Sequence, residues 1–211
     1  MSPAFADACD PIFTRVISIL ERIELRESVD RDFERRRIES LFQEAEGRVP
    51  DKAGWELARY ALAAWIDDLL VTIPWDGASW WKNNSLEFAF FKSQDRATVF
   101  FTKAKEAAEL TKRDALEVFY LCVVLGFRGL YSLDDAGFIA ESLGLPPRLE
   151  SWAELTAQSL HLRQGRPPIS ESPRPPTGAA PLEGKLLLVG FGLIAVILAA
   201  AVGALRYLTS L

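Results

Sequence analysis

The chain is poor in the residues on which most catalytic and metal sites depend. Its 211 residues include one histidine and two cysteines. Cys9 and Cys122 are not closely spaced, so they form no paired-cysteine zinc motif and indicate free thiols in a reducing compartment. His161 has no nucleophile motif beside it, and the sequence has no glycine-rich phosphate loop. We therefore predict a protein that is not an enzyme and that binds no metal and no cofactor.

An excess of positive charge is also absent. The sequence has 24 Lys and Arg against 29 Asp and Glu, which gives a formal charge of -5. Because a protein neutralises several phosphates when it holds nucleic acid, this balance predicts no nucleic-acid partner. The length allows one domain of ordinary size with attachments and excludes a large multidomain enzyme.

Polar side chains are missing from one long stretch near the C-terminus. Residues 186–205 are twenty positions without a polar side chain, between Lys185 and Arg206. Twenty residues at about 1.5 Å each cross the roughly 30 Å of a bilayer's hydrocarbon core, so this stretch predicts one transmembrane helix. Residues 1–11 lack the apolar core of a signal peptide. We therefore expect a single-pass, tail-anchored membrane protein whose N-terminal part stays in the cytosol.

A change of composition predicts a linker before the membrane helix. Residues 164–184 contain six prolines and almost no apolar bulk. Such chains favour the extended polyproline form, although the same prolines are also typical of ligands for SH3-type domains. The predicted organisation is a cytoplasmic helical domain over 1–163, the linker over 164–184, the transmembrane helix over 185–206 and a short tail over 207–211.

Most of the remaining chain repeats apolar side chains every three or four positions, which predicts α-helices. The third helix is expected to begin after Asp51 and to end before Pro74. It is apolar on nearly all sides, which places it in the middle of the fold. A tryptophan-rich loop is expected at 74–85. We predict an all-α domain of seven or eight helices, with apolar patterns over 12–23, 29–42, 52–73, 86–92, 96–110, 112–127, 133–143 and 148–162.

Two adjacent carboxylates, Asp67 and Asp68, interrupt the apolar third helix. At 100° per residue, both point away from the main apolar stripe of that helix. Burying a carboxylate is costly unless hydrogen bonds or a cation compensate. Three interpretations stay open at this point: structural anchoring, a partner-binding cleft, and acid/base or metal-assisted hydrolysis.

Aromatic residues are concentrated after this helix. Eight of the chain's 23 aromatic residues lie between positions 75 and 101. Most are expected in the core, but tryptophan is enriched at the centres of interfaces, so a docking surface is a second interpretation. The candidate partner-binding cleft is therefore formed by Asp67, Asp68, Trp75 and Trp81.

Small residues recur on the predicted membrane helix. Ala195, Ala199 and Gly203 lie four residues apart. Because small side chains let helices approach closely, these three are candidate packing residues for a neighbouring membrane helix.

Several sequence runs together resemble one known family. They are ARYALAAWIDDLL at 58–70, Trp75 and Trp81, the pair Phe100 and Phe101, LEVFYLCVVLGFRGLY at 116–131 and the C-terminal apolar stretch. This set is similar to the DotU/TssL (IcmH) family of type VI secretion systems, which has relatives in type IVB systems. The chain departs from the family pattern at Asp68, where a glutamate is usual, and at Thr98 and Val99, where Gly-Glu is common.

The resemblance implies a cytoplasmic domain of two small helical bundles arranged like a hook, held at the bacterial inner membrane by one helix with a periplasmic C-terminus. It implies a structural component that joins a trans-envelope complex and docks the cytoplasmic baseplate. The implied partners are a TssM/IcmF-like inner-membrane protein, a TssJ-like lipoprotein reached indirectly, baseplate proteins of the contractile tail, the lipid bilayer and further copies of this chain. A type IVB component and a membrane-tethered hydrolase that uses the acidic pair remain the alternatives.

Overall fold

The computed structural model of the chain describes residues 1–163, and in this range the chain forms helices joined by turns, without a β-strand. The predicted all-α class is confirmed. The predicted linker, membrane helix and tail lie outside the described residues, as do Ala195, Ala199 and Gly203. The elements in the described range are α1 (Pro3–Glu24), α2 (Arg31–Arg48), α3 (Lys52–Thr72), α4 (Ala78–Asn83), α5 (Leu86–Phe91), α6 (Arg96–Glu109), α7 (Asp114–Val124), a 3-10 turn (Gly129–Ser132), α8 (Ala136–Ser142) and α9 (Leu149–Arg163).

Local side-chain chemistry fixes the start of the third helix where the sequence predicts it. The Asp51 carboxylate accepts a hydrogen bond from the Gly54 backbone N–H at 3.1 Å, so it satisfies one of the N–H groups that a helix leaves unpaired in its first turn. A Cβ at Gly54 would lie 2.8 Å from Asp51 Oδ2, which explains why a glycine stands there. The helix ends at Thr72, just ahead of Pro74, as expected.

The structure differs from the sequence prediction at residues 74–85. This stretch was expected to be a loop, but it contains the six-residue helix α4. A helix of that length is less than two turns, too short to show a helical repeat of apolar residues. Its one fully buried side chain is Trp81. The helix therefore owes its place to the burial of that indole rather than to its own periodicity.

Two glycines shape the turn that follows α7. Gly126 and Gly129 have φ values of +110° and +51°, a region that side chains with a Cβ rarely adopt. The helix ends at Val124, three residues earlier than the apolar pattern at 112–127 suggested. The turn carries the backbone of Arg128 back towards α3.

Helix α3 lies in the middle of the fold, as its sequence predicted. Every side chain from Tyr60 to Asp67 is buried. Its indole Trp65 lies 5.1 Å from the Phe13 ring of α1, measured between ring centroids. On other sides α3 packs against α4, α5, α6 and α7. Two further groups complete the packing: α1 pairs with α2, and α6 and α7 carry the 3-10 turn, α8 and α9.

Within residues 1–163, the stretch Asp114–Ser132 is long and apolar enough to cross a membrane. Half of it is buried inside the domain, and it contains α7, which packs along α3. Helices at the centre of a soluble core have the same composition. We therefore interpret this stretch as a core element.

Both cysteines are free and buried. Burial is the main cause that raises the pKa of Cys9 to about 12, and the neighbouring Asp10 and Asp114 carboxylates raise it further. Because the thiolate is the reactive form of cysteine, Cys9 is a packing residue at neutral pH.

Candidate functional site

Asp67 is the most deeply enclosed acid of the predicted site. Its residue is 0% exposed, and its carboxylate accepts three hydrogen bonds. The Trp81 indole N–H and the Leu86 backbone N–H donate to Oδ1, both at 2.9 Å, and the Glu87 backbone N–H donates to Oδ2 at 2.8 Å. Leu86 and Glu87 are the first two residues of α5, so Asp67 caps that helix from α3.

The charge state of Asp67 reflects its enclosure. Burial raises the pKa of Asp67 from 3.8 to about 6, against the opposing effects of the three hydrogen bonds and of the nearby Arg96 guanidinium. The carboxylate form therefore prevails at neutral pH, where an anion at the N-terminus of α5 is also favoured by the helix dipole. This arrangement matches the structural-anchoring interpretation of Asp67.

A second buried acid, Glu87, joins the same network. Its residue is 0% exposed, and its Oε1 accepts hydrogen bonds from the Tyr60 hydroxyl and the Ser93 hydroxyl, each at 2.8 Å. Burial and the hydrogen bond to Glu87 raise the pKa of Tyr60 well above its ordinary value, so Tyr60 remains a donor. The other oxygen, Oε2, is buried without a hydrogen bond and lies 3.9 Å from the Arg96 guanidinium.

Asp68 has a different environment from its neighbour. Its side chain is 22% exposed. Oδ2 accepts a hydrogen bond from the Arg128 backbone N–H at 3.3 Å, and Oδ1 lies 3.9 Å from Arg96 Nε. Of the two adjacent carboxylates, Asp68 is therefore the one that a molecule in solution can reach.

The two tryptophans of the predicted cleft are also separated by the fold. Trp81 of α4 is fully buried and donates its indole N–H to Asp67. Trp75 is half-buried, donates its indole N–H to the Leu70 carbonyl at 2.8 Å, and lines a pocket of about 410 Å³ whose walls do not include Asp67 or Asp68. The four predicted residues thus do not share one cleft wall.

The expectation of a common cleft needs a correction for Asp67 and Trp81. The helical wheel placed Asp67 away from the main apolar stripe, and this side is covered by α4 and α5 rather than open to solvent. In this conformation a partner contacts neither residue. That Asp68 and Trp75 each contact a partner stays a prediction.

Sequence reasoning missed Glu87, Tyr60 and Arg96, which complete the network. A signal for Glu87 exists, because it is the lone acid in the run LEFAFF at 86–91. An acid inside such a run indicates a buried group with partners, because an unpaired one is costly to bury. Tyr60 and Arg96 carry no comparable local signal, since their partners are distant in sequence.

The geometry restricts the chemistry of this network. All the acceptor contacts of Asp67 serve helix and indole donors within the domain. Hydrolysis by a pair of carboxyl groups, as in glycosidases, needs both groups to face a substrate, whereas Asp67 and Glu87 are both enclosed. Within residues 1–163 no group of three or more His, Cys, Asp or Glu side chains is arranged to hold a metal ion.

Fold and site together define an all-helical domain in which buried acids hold one layer of helices onto the central helix, with one partly exposed acid beside them. The family model for the type VI secretion system protein DotU matches residues 4–208. The chain therefore belongs to the DotU family of type VI secretion system proteins, as the sequence resemblance indicated.

A solved structure shows the same fold. The cytoplasmic domain of TssL from Acinetobacter baumannii is similar with a TM-score of 0.59 and 24% sequence identity, over 75% of this chain and 97% of that one. A likeness at this identity shows the fold alone. No curated protein matches the sequence.

Proposed function

We propose that the chain is a tail-anchored structural component of a type VI secretion system in the bacterial inner membrane. The domain formed by residues 1–163 faces the cytoplasm, and the C-terminus lies in the periplasm. The chain joins the trans-envelope membrane complex and docks the cytoplasmic baseplate. The observation that carries this proposal is the family match, which runs from residue 4 to residue 208 and so includes the apolar stretch at 186–205.

A structural rather than catalytic role is supported by the use of the acids. Asp67 caps α5, and Glu87 binds the Tyr60 and Ser93 hydroxyls. Asp68 is the acid of this network with exposed surface. One reachable carboxylate without an opposing one provides a charged contact for a partner but not an acid/base pair.

The four residues of the predicted docking site have two different roles in this proposal. Asp68 presents a charge and Trp75 presents an aromatic side chain, whereas Asp67 and Trp81 hold α4 and α5 against α3. A basic patch is the matching surface on a partner, because complementary charge steers association and fixes orientation.

The proposed partners follow from the family. They are a TssM/IcmF-like inner-membrane protein, a TssJ-like lipoprotein reached through it, and baseplate proteins of the contractile tail. The lipid bilayer receives the apolar stretch, and a neighbouring membrane helix packs against Ala195, Ala199 and Gly203. The chain also associates with further copies of itself.

Affinity capture of the full-length chain from a detergent extract tests this proposal directly. We expect the chain to sediment with membranes, to resist alkaline extraction, and to bring down an IcmF-like protein and baseplate subunits, identified by mass spectrometry. Recovery of the chain in the soluble fraction would contradict the anchor. Co-purification with the coupling apparatus of a type IVB system would replace the assignment with that alternative.

The hydrolase alternative makes a different prediction. Neutralising Asp68 in a tethered hydrolase abolishes turnover while the captured complex stays intact. In the proposed docking component, neutralising Asp68 weakens the captured complex instead.

A further inference from the structure

Arg96 is the cation that lies among three carboxylates at the junction of α3, α5 and α6. Its Nε lies 3.9 Å from Asp68 Oδ1, and its Nη1 lies 3.9 Å from Glu87 Oε2. Its charge also acts on the enclosed carboxylate of Asp67. Arg96 is thus the guanidinium that the carboxylates of Asp67, Asp68 and Glu87 share at this junction.

Both contacts of Arg96 are longer than hydrogen bonds. Charge-assisted N–H···O bonds measure about 2.7–2.9 Å, roughly 1 Å less than either separation. Arg96 Nε is buried without a hydrogen-bond partner, and so is Glu87 Oε2, on a residue that is 0% exposed. The guanidinium is thus shared between two acids and makes a hydrogen bond to neither. This arrangement is costly, because a buried polar atom without a hydrogen bond is costly.

The opening to solvent lies on the Asp68 side of this junction. The Asp68 side chain is 22% exposed and that of Arg96 is 23% exposed, while Glu87 is enclosed. A cation arriving from outside therefore meets Asp68 first. The acceptor left for Arg96 is then Glu87 Oε2, a short movement inwards.

We infer that the junction of Asp68, Glu87 and Arg96 is a binding site for an arginine side chain of a protein partner, and that Arg96 occupies this site in the free protein. When the partner's guanidinium pairs with Asp68, Arg96 closes onto Glu87 Oε2. This inference deepens the proposed docking function and rests on it for the identity of the partner.

An arginine suits the site better than a lysine. The Asp68 carboxylate, whose Oδ1 has no hydrogen bond among the described residues and whose Oδ2 accepts one, can accept from both arms of a guanidinium fork, whereas an ammonium acts as a point charge. The exchange also gives Arg96 and Glu87 the hydrogen bond that each lacks in the free protein. This gain offsets part of the cost of displacing Arg96 from Asp68.

The test uses the full-length chain in a neutral detergent and a fluorescein-labelled hexapeptide of alternating arginine and glycine as the probe. Arg96→Met removes the internal occupant, and fluorescence anisotropy is expected to show about tenfold tighter binding of the probe. Arg36→Met is the matched control, because Arg36 is exposed on α2 and its loss changes the net charge equally. The control is expected to change the affinity less than about twofold.

A second substitution locates the gain. Adding Asp68→Asn to Arg96→Met is expected to return the affinity to that of the unaltered chain or below it. Equal affinities for Arg96→Met and Arg36→Met would overturn the inference. A gain that survives Asp68→Asn would overturn it as well.

Arg96→Met leaves Glu87 without its cation, which can impair folding. A second measurement therefore uses the unaltered chain. With ¹⁵N-labelled arginine, saturating probe is expected to shift the Arg96 Nε–H resonance and to leave that of Arg36 in place. An unmoved Arg96 resonance would overturn the inference. A positive probe result together with failed capture of secretion components would instead overturn the proposed function and leave the site intact.

Discussion

Helix α3 is held on its two sides by different means. Towards α7 the side chains are mostly apolar, with Phe119 of α7 fully buried, and the polar contacts are the Cys122 thiol to the Ala61 carbonyl and the Trp65 indole N–H to the Leu125 carbonyl. Towards α4 and α5 the contact depends on Asp67 and Tyr60, which make directional hydrogen bonds. Apolar packing tolerates a change of shape if volume is kept, whereas a buried polar group without its partner carries the full cost of desolvation. The two sides of one helix should therefore respond differently to similar substitutions.

The largest effect is expected on the polar side, from Asp67→Ala. The substitution leaves the Trp81, Leu86 and Glu87 N–H donors without their acceptor and opens a small cavity. We expect a loss of about 3–5 kcal/mol in the free energy of unfolding, measured by urea denaturation. Asp76→Ala, at an exposed aspartate, is the control and should cost less than about 0.5 kcal/mol. A loss below about 1 kcal/mol for Asp67→Ala would remove the distinction between the two sides.

A smaller effect is expected on the apolar side, from Phe119→Leu. Phe119 is 0% exposed and lies 4.8 Å from the Phe100 ring, measured between centroids. Because the new side chain is still apolar and neighbouring side chains can shift, the loss should not exceed about 1.5 kcal/mol by the same measurement. If Phe119→Leu costs as much as Asp67→Ala, the apolar side is as specific as the polar one.

The pH dependence of stability sharpens the comparison, because Asp67 titrates on the polar side. The pKa of Asp67 is about 6 in the folded chain, whereas the ordinary value of an aspartate, which applies to the unfolded chain, is 3.8. The folded chain therefore holds the proton more tightly than the unfolded chain does. The resulting stabilisation is fully present below the ordinary pKa and is lost as the pH rises through about 6.

When the pH falls from 7 to 5, the free energy of unfolding of the unaltered chain should therefore rise by about 1 kcal/mol relative to that of Asp67→Asn, which cannot titrate at this position. Urea denaturation of both chains at each pH measures the difference. Parallel pH profiles for the two chains would show that Asp67 does not titrate in this range.

The smallest effect on stability is expected at the partly exposed acid, Asp68. Asp68→Asn keeps an oxygen for the Arg128 backbone N–H and removes a partly exposed charge. The free energy of unfolding should change by less than about 0.5 kcal/mol, because ion pairs near the surface contribute little. A loss comparable to that of Asp67→Ala would mean that both acids anchor the fold.

A feature of this fold was predictable from the sequence when the residues that determine it lie close together in the chain. The bounds and central place of α3 were predicted because Asp51, Pro74 and the apolar pattern are signals within the helix itself. Asp67 points towards α4 and α5. That α5 covers this side was not predicted, because the N–H groups that Asp67 binds belong to residues about twenty positions further along the chain.

The candidate site was predicted in part for the same reason. Periodicity singled out Asp67 and Asp68 but could not assign them opposite exposures, because the covering layer includes α4, a helix too short to leave a pattern. Glu87 has a local signal, the isolated acid in an apolar run. Arg96 has none, since its place between Asp68 and Glu87 exists only in the folded chain.

The central claim is that Asp67 anchors the fold and that Asp68 binds a partner. The most direct test captures partners with the full-length Asp67→Asn and Asp68→Asn chains and measures the stability of each chain. The account predicts that Asp68→Asn keeps the stability of the unaltered chain but recovers less IcmF-like protein and fewer baseplate subunits from the detergent extract. It predicts that Asp67→Asn lowers the stability of the domain, and that partners are lost only as a result. Undiminished recovery with Asp68→Asn, together with lost recovery from a stable Asp67→Asn chain, would contradict it.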